Sequence, residues 1–317
     1  MTNKERYKKL CLEDKTIPLF SRSWWLDAVC GDNWDVVLVE KGGQIVASLP
    51  YYLEKRKNMT YIMMPKLTQT LGVWMKYPPK QKYVKKLSFE REVMKKLIKQ
   101  LPKFDYFKQN FHHSITNWLP FYWEEFEQTT RYTYRIEDLS DLDAVFKYFK
   151  DSMRRDIKKA NELVRVEETE DIELFYSINK LTFERQNINI PYNLDYLKRL
   201  DSACKEKNSR KILIAKDNDG RIHSALYLVW DENSAYYIMS GSDPELRSSN
   251  AMSLLIWEAI QFSASVSNSF DFEGSMIEPI ERFFASMGAA QVPFHQITKK
   301  NSKVLKMKES LQSVLKK

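Results

Sequence analysis

The chain has 317 residues, of which 43% are hydrophobic and 13% aromatic, so it is too apolar for a disordered protein and long enough for two domains. Its net charge of +8 lies entirely in residues 1–140, which carry 24 lysines and arginines against 16 acids. Three cysteines without metal-ligand spacing, no signal peptide and no apolar run of membrane-spanning length predict a reduced cytoplasmic protein.

The first 140 residues predict a helix, a group of three strands and a second helix, in that order. The lead-in helix lies near Ser23–Val29, and three short antiparallel strands with a glycine turn follow within Val37–Met64. Apolar spacing then predicts a helix over Phe89–Leu101, a strand over Tyr106–Gln109 and a closing strand over Arg131–Ile136.

Most of the positive charge lies between Lys55 and Lys108, where 15 lysines and arginines face three acids. Such a stretch is either a solvated, lysine-covered face or a surface for a polyanion, such as transfer RNA, a diphosphate-linked precursor or an anionic membrane. The sequence leaves these alternatives open.

The second half predicts the same order of elements after one or two helices in Leu142–Leu163. The elements are a helical lead-in over Asp171–Lys207 interrupted near Asn187–Pro191, three strands within Lys211–Ser240, a helix over Asn250–Ser265, a strand over Ser269–Glu273, a helix over Glu278–Met287 and a strand over Val292–Thr298. Beyond Lys299 the lysine-rich segment has helical spacing, with Leu311 and Leu315 placed to dock.

Two segments repeat one strand–turn–strand pattern that ends in Tyr-Ile-Met. They are Val37–Met64 and Ile212–Ser240, and a second pair of similar strands follows each of them in the same order. We therefore expect two copies of one domain. The expected divisions are a first domain at 1–140, a helical bridge at 141–165, a second domain at 166–300 and a basic helix or tail at 301–317.

Four segments carry a resemblance to a known family. They are TRYTYRIEDLSDL (Thr130–Leu142), SMRRDIKKANE (Ser152–Glu162), YYIMSGSDPELRSSNAMSLLIWEAI (Tyr236–Ile260) and FDFEGSMIEPIERFFASMGA (Phe270–Ala289). The chain resembles the Fem family, which has two GNAT (Gcn5-related N-acetyltransferase) domains. The resemblance implies an α/β (α+β) fold of two tandem GNAT-like domains, each a mixed, mostly antiparallel sheet flanked by helices.

The resemblance places an acyl-donor site at the start of the helix near Asn250. GNAT enzymes hold the diphosphate of coenzyme A on backbone amides there, after an Arg or Gln followed by two small residues. Arg247 matches the opening residue, whereas Asn250 and Met252 replace the small ones and count against ordinary coenzyme A binding. Acyl-CoA and aminoacyl-tRNA are both candidate donors, with no tightly bound cofactor. The candidate donor-binding residues are Ser242, Arg247, Ser248, Ser249 and Asn250; alternatively, Arg247 is a surface residue beside a serine helix cap.

The resemblance also implies a carbonyl-polarising backbone amide near Ser240–Ser242, where the fourth and fifth strands of a GNAT sheet part. Strand alternation would put Asp271 and Glu273 on one face beside that gap, where a carboxylate could orient or deprotonate an ammonium acceptor. The candidate catalytic residues are therefore Ser240, Asp271 and Glu273. Alternatively, Asp271 makes a structural pair and Glu273 faces solvent.

The segment SMRRDIKKA resembles the family's bridge motif, and guanidinium groups bind phosphate in a bidentate manner. The resemblance implies that it binds a small, nucleotide-linked or lipid-linked acceptor. The candidate acceptor-binding residues are Arg154, Arg155, Glu184, Arg185 and Tyr192. The alternatives are a basic solvated helix face and a polar helix end.

No metal site is expected. His112 and His113 are adjacent, but no cysteine or spaced acid completes a ligand set. His223 and His295 are interpreted as ordinary strand residues.

Two functions are consistent with these features. The first is an N-acyltransferase of cell-envelope biogenesis, which moves an acyl or aminoacyl group to an amine of an amino sugar or of a peptidoglycan or polysaccharide precursor. The second is a catalytically inactive GNAT-fold protein that binds an envelope polymer or RNA, because a fold alone does not establish activity. Neither function implies DNA binding or more than peripheral membrane contact, and the sequence does not predict an oligomeric state.

Overall fold

The computed structural model describes residues 1–307, and the chain divides into two compact units. The first unit contains Met1–Arg131 and the chain from Pro293 onward, and the second contains Tyr132–Val292. No helix within the described range combines the length and the apolar character that crossing a bilayer requires.

The predicted helices and strands occur in the expected order, most of them with shifted ends. The helices Asn3–Glu13 and Leu119–Trp123 and the strands Trp74–Met75 and Arg165–Glu168 are additional elements that the apolar spacing does not predict. The helices are α1 (Asn3–Glu13), α2 (Ser23–Cys30), α3 (Tyr83–Gln100), α4 (Leu119–Trp123), α5 (Leu142–Tyr148), α6 (Asp151–Leu163), α7 (Ile172–Arg185), α8 (Leu194–Glu206), α9 (Ala251–Ser263) and α10 (Glu278–Ser286). The strands are β1 (Trp34–Lys41), β2 (Gln44–Arg56), β3 (Met59–Met63), β4 (Trp74–Met75), β5 (Tyr106–Asn110), β6 (Glu127–Ile136), β7 (Arg165–Glu168), β8 (Arg210–Lys216), β9 (Ile222–Trp230), β10 (Ser234–Ser242), β11 (Ser269–Asp271) and β12 (Ala290–Lys300). Residues 303–307 are helical, whereas Leu311 and Leu315 of the expected C-terminal helix lie outside the described residues.

The first unit is built on the strand order β1-β2-β3-β5-β12, with β4 paired to β2. β3 and β5 are parallel, and the other pairs are antiparallel. α3 buries one stripe of apolar residues, Phe89, Val93 and Leu97. Ile62 and Phe107 of the sheet belong to the same core cluster, so α3 covers one face of this sheet.

The second unit has the strand order β6-β11-β10-β9-β8-β7, in which only β10 and β11 are parallel among the pairs within residues 132–292. Leu226 and Leu228 of β9 share a core cluster with the apolar side of α9. Tyr227 lies between them and packs on Phe175 of α7, with ring centroids 5.4 Å apart. Because successive strand residues point to opposite faces, α7 and α9 cover opposite faces of the sheet.

The last strand that the sequence assigns to each predicted copy, β6 or β12, pairs within the other compact unit. The sequence places β6 in the first copy, but its Arg135 and Ile136 pair with Asp271 and Phe270 of β11 in the second unit. It places β12 in the second copy, but Gln296–Lys300 pairs with β5 in the first unit. This assignment was wrong because a repeat gives the order of elements, whereas pairing depends on contacts between residues far apart in the chain.

The segment Leu142–Leu163 forms two helices, α5 and α6, as expected. Their buried residues Val145, Phe149 and Ile157 belong to the core of the second unit. The helical bridge, and the domain boundaries at positions 140, 165 and 300, stay predictions, since a compact unit is not by itself an independently folding domain.

α7 approaches β10 so closely that a side chain at Gly241 would collide with it. A Cβ there would lie 2.3 Å from the carbonyl oxygen of Ile178 and 2.5 Å from the Cα of Asn179. We therefore expect Gly241→Ala to lower the free energy of unfolding by about 1–3 kcal/mol, because overpacking forces the backbone to move. Urea unfolding measures the change. Gly220→Ala is a comparison in which only backbone strain acts, since its φ is 82° and a Cβ there meets nothing within 4 Å. An unchanged free energy of unfolding in Gly241→Ala would contradict the close approach.

Candidate active site

A gap opens in the sheet of the second unit where β10 and β11 part. The two strands pair over only three residues, Ser234–Tyr236 with Ser269–Asp271. β10 then continues on β9, with a bulge that leaves Ile238 between two paired residues. After β11 the chain follows β6 instead, because the backbone amide of Phe272 donates to the carbonyl oxygen of Tyr134 at 2.9 Å. The residues of β10 after Tyr236 therefore have no β11 partner.

Glu273 lies just beyond the end of β11 and carries an unusual carboxyl group. Its Oε1 atom is buried and has no hydrogen-bond partner among the described residues. Burial raises the pKa of this carboxyl well above its usual range, and the nearby charge of Asp271 adds to the rise. A carboxyl of this kind exchanges its proton closer to neutral pH than a solvated glutamate does, as general acid–base catalysis requires.

Strand alternation does not extend from Asp271 to Glu273. β11 ends at Asp271, and Glu273 and Gly274 have φ angles of 60° and 58°, in the left-handed region. Gly274 is required here, since a Cβ would lie 2.1 Å from the carbonyl oxygen of Tyr132. This turn therefore approaches β6 closely, and the expected placement of Asp271 and Glu273 on one face stays a prediction.

Asp271 is occupied by structural contacts. Its carboxylate pairs with the buried Arg135 at 3.0 Å and accepts a hydrogen bond from the hydroxyl of Thr133 at 2.5 Å. It also accepts the backbone amide of Glu273 at 2.7 Å. Arg135 in turn donates to Ser269 at 2.9 Å. The structural alternative for Asp271 therefore fits this geometry best, and its charge acts on Glu273 beside it.

Ser240 lies on the parted segment of β10 and is held from two sides. Its hydroxyl forms a short hydrogen bond with the hydroxyl of Tyr237, and its carbonyl oxygen accepts the side-chain amide of Asn179 at 2.6 Å. Burial raises the pKa of Tyr237 to about 12, so this phenol stays protonated at neutral pH. The Tyr237 hydroxyl also lies 3.7 Å from the sulfur of Met252 at the start of α9. Tyr237 and Asn179 were missed in the sequence, where only a polar Asn between apolar helix residues hints at a role.

The candidate acceptor residues near the end of α7 differ in their exposure to solvent. Glu184 is exposed and pairs with Lys180 at 3.0 Å, and Arg185 is exposed. Tyr192 is buried and donates its hydroxyl to Asn179 at 2.8 Å. Tyr192 therefore supports the contact that holds β10, and it is not on a free surface.

The turn before α9 borders an open cleft of about 460 Å³. Of the candidate donor residues, Ser248 and Ser249 line this cleft, whereas Ser242 and Arg247 do not. Asn250 adopts a left-handed conformation with φ of 58° and donates its side-chain amide to Asp156 of α6 at 2.9 Å. The turn is therefore fastened to α6, and the Asn250 side chain is already engaged.

His223 fastens the same turn from the other side. One ring nitrogen lies 3.0 Å from Asp217 Oδ2, and the other lies 2.9 Å from Ser249 Oγ. The hydrogen bond with His223, together with Arg221, holds the pKa of Asp217 well below its usual range. His223 is buried and lines the cleft, so it is more than the ordinary strand residue that the sequence suggests. No spacing rule could find it, because its partner Ser249 is 26 residues away.

One basic residue of α6 pairs within the helix, and another lines the cleft. Arg154 donates to Asp151 at 2.5 Å, within its own first turn. Arg155 is exposed and has no carboxylate partner in the described part of the chain. Lys159, one turn further along the same face, lines the cleft with Ser248. The basic side of α6 therefore lies toward the turn before α9.

A family model described as an acetyltransferase (GNAT) domain matches residues 147–273. This range contains α6, the parted strand β10, the turn before α9 and Glu273. No curated protein matches the chain in sequence.

Solved structures resemble almost the whole chain at low sequence identity. FemX has a TM-score of 0.67 at 14% identity, covering 93% of this chain and 96% of its own. The C-terminal domain (DUF2156) of a putative lysylphosphatidylglycerol synthetase from Agrobacterium fabrum has a TM-score of 0.55 at 11% identity, covering 94% of this chain and 92% of its own. A tandem GNAT protein from the clavulanic acid biosynthesis pathway has a TM-score of 0.51 at 9% identity, covering 88% and 94%. The chain has the Fem-like tandem GNAT fold, as its motifs predict.

The structural contacts of Asp271 predict a large effect on stability. Asp271→Ala should lower the free energy of unfolding by about 1–3 kcal/mol, because it removes the acceptor of buried hydrogen bonds from Thr133 and Arg135, although Arg135 keeps its ion pair with Glu137 at 2.8 Å. Glu278→Ala is the control, since it removes only an exposed ion pair with Arg282, which should contribute about 1 kcal/mol or less. Denaturant unfolding compares the two variants. Equal stability of both would show that Asp271 is not a structural anchor.

Proposed function

We propose that this protein is an N-acyltransferase that moves an acyl or aminoacyl group from an activated donor to an amine. The observation that carries the proposal is the buried Oε1 atom of the Glu273 carboxyl, which has no hydrogen-bond partner among the described residues and follows the short pairing of β10 with β11. The Fem-like tandem GNAT fold supports the same reaction class. The proposed acceptor is an amino sugar or a cell-envelope precursor, in keeping with the family that the motifs resemble.

The proposed reaction needs one base, one carbonyl polariser and alignment of the two substrates. The ammonium group of the acceptor loses a proton to the Glu273 carboxylate, and the free amine attacks the carbonyl carbon of the donor. Backbone N–H groups of the parted segment near Ser240 donate to the oxygen that becomes negative. The bond from carbon to the donor oxygen or sulfur then breaks, and the attacking nitrogen gives up its second proton to the leaving group. The Tyr237 hydroxyl or solvent relays this proton, so that Tyr237 ends the step protonated.

The proposed donor is an aminoacyl-tRNA, with acyl-CoA as the rival. In GNAT enzymes, small residues at two positions let the coenzyme A diphosphate approach the helix start. Asn250 and Met252 occupy those positions here, and both side chains are engaged in contacts. An affinity for transfer RNA that falls steeply as the salt concentration rises supports aminoacyl-tRNA as the donor. A saturable rise of the melting temperature with acetyl-CoA supports acyl-CoA.

Replacing Glu273 by glutamine tests the proposed base. We expect the rate of acyl transfer to fall by about 10²–10⁴-fold, because general-base catalysis contributes that much. The wild-type rate should rise with pH through the raised pKa of Glu273 and level off above it, since only the carboxylate accepts a proton. Glu273→Gln should lack this rise. The assay follows transfer from acetyl-CoA and from aminoacyl-tRNA to a panel of amino sugars and peptidoglycan precursors.

Glu278→Gln is the matched control for that experiment, because Glu278 is an exposed glutamate five residues away. It should keep the wild-type rate and pH profile. A Glu273→Gln protein with the wild-type profile would remove Glu273 from the mechanism. A wild-type protein that binds an envelope polymer or RNA tightly but transfers no group would instead establish the alternative, an inactive binding protein.

The basic side of α6 is proposed to bind phosphate groups of the donor. Its Lys159 lines the cleft beside Ser248, and Arg155 lies one turn earlier on the same face. Arg155→Ala and Lys159→Ala should each raise the KM for the donor by roughly ten-fold, the effect of losing one charged hydrogen bond. The melting temperature and the KM for the acceptor should not change. Lys158→Ala is the control for Lys159→Ala, since it removes an exposed neighbouring lysine that does not line the cleft. A rise confined to the acceptor KM would assign Arg155 and Lys159 to the acceptor.

A further inference from the structure

The exposed side of α3, with the loop before it, forms a surface that the proposed acyl transfer does not use. We call it the α3 surface. It is defined by exposed bases and two exposed apolar side chains: Lys80, Lys82, Tyr83, Val84, Lys85, Arg91, Lys95 and Lys99. Val84, Arg91, Lys95 and Lys99 follow helical spacing, so they form one stripe along the helix.

The apolar part of this surface is a pair of adjacent side chains at the first turn of α3. Tyr83 is 73% exposed and Val84 is 62% exposed. Further along the helix the ring of Trp123 lies 5.4 Å from the Lys95 ammonium group, and Trp123 is 48% exposed. Single exposed apolar residues are ordinary, but an adjacent pair at a helix start, with an aromatic ring beside the same helix, is a concentrated apolar area.

The charge of the α3 surface is positive because the two acids of α3 are engaged elsewhere. Glu90 is buried and accepts a hydrogen bond from the Tyr77 hydroxyl at 2.9 Å. Glu92 pairs with Lys41 at 2.6 Å and with Lys96 at 2.8 Å. The bases of the exposed stripe are thus left uncompensated by the acids of their own helix.

Helix stability does not account for the lysines at the start of α3. The helix begins without a side-chain cap and without an acid in its first turn. Lys82 and Lys85 lie at the positive end of the helix dipole, which disfavours cations. Their positions are therefore better explained by an anionic partner than by folding of the helix.

We propose that the α3 surface binds an anionic phospholipid bilayer. Tyr83 and Val84 would enter the boundary between headgroups and acyl chains, and the surrounding lysines would contact lipid phosphates, with their aliphatic stems against the apolar layer. Each lysine near an anionic membrane strengthens binding by about five-fold. This inference goes beyond acyl transfer and does not depend on it.

An anionic bilayer fits this surface better than RNA does. Both ligands supply phosphates, so the lysines alone do not distinguish them. Val84 is aliphatic and cannot stack on a base as an aromatic ring does, whereas the apolar layer of a bilayer takes an aliphatic and an aromatic side chain together. The adjacency of Tyr83 and Val84 within a ring of lysines therefore favours the bilayer.

Vesicle flotation of the full chain tests the proposal. Wild-type protein should float with phosphatidylcholine vesicles that contain one third phosphatidylglycerol, should not float with pure phosphatidylcholine, and should bind less in high salt. The double variants Tyr83→Ser/Val84→Ser and Lys82→Glu/Lys85→Glu should each weaken binding by about ten-fold or more. Circular dichroism and thermal unfolding of each variant check that it remains folded.

A matched control separates this surface from exposed apolar residues in general. Leu12 and Tyr148 are 81% and 79% exposed at other places in the chain, so Leu12→Ser/Tyr148→Ser should bind vesicles like the wild type. Loss of binding in Lys82→Glu/Lys85→Glu but not in Tyr83→Ser/Val84→Ser would overturn the proposal. Parallel loss of transfer RNA binding in the lysine variant would then assign the surface to RNA. Absence of wild-type binding to the anionic vesicles would also overturn it.

Discussion

The buried ion pair between Arg135 and Asp271 is the contact on which the rest of the site depends. It ties the last residue of β11 to β6, and the chain after β11 then follows β6, away from β10. The same Asp271 carboxylate accepts the amide of Glu273 and places a negative charge beside it. The ion pair therefore ties β11 to β6 beside the gap, and the Asp271 charge adds to the rise that burial causes in the pKa of Glu273.

Side-chain hydrogen bonds fix the backbone on the other sides of the gap. Asn179 holds the carbonyl of Ser240 on the parted strand. His223 and Asn250 fasten the turn before α9 to the β8–β9 turn and to α6. These contacts engage polar atoms that would otherwise compete for a ligand, and they hold the backbone of this region in a defined arrangement. Such preorganisation is what acyl transfer requires, since the chemistry depends on alignment and on fixed dipoles more than on many reactive groups.

The sequence predicts most helices and strands because each depends on the periodicity of its own apolar residues and on nearby glycine turns. It also names Glu273 as a candidate catalytic residue, and that role stays a prediction. It assigns β6 and β12 to the wrong copies, because strand pairing is decided by contacts across more than a hundred residues. It cannot predict the left-handed turn at Glu273 or the partnership of His223 with Ser249, which arise only when separate elements meet.

The titration of the Glu273 carboxyl tests the central claim most directly. Carbon-13 NMR of protein labelled in its glutamate carboxyl groups, with the Glu273 signal assigned by its absence in Glu273→Gln, reports this group without any substrate. We expect a midpoint well above that of solvent-exposed glutamates, since burial and the Asp271 charge both disfavour the carboxylate. A midpoint in the ordinary glutamate range would show that the carboxyl is solvated, and would contradict its proposed role as the general base.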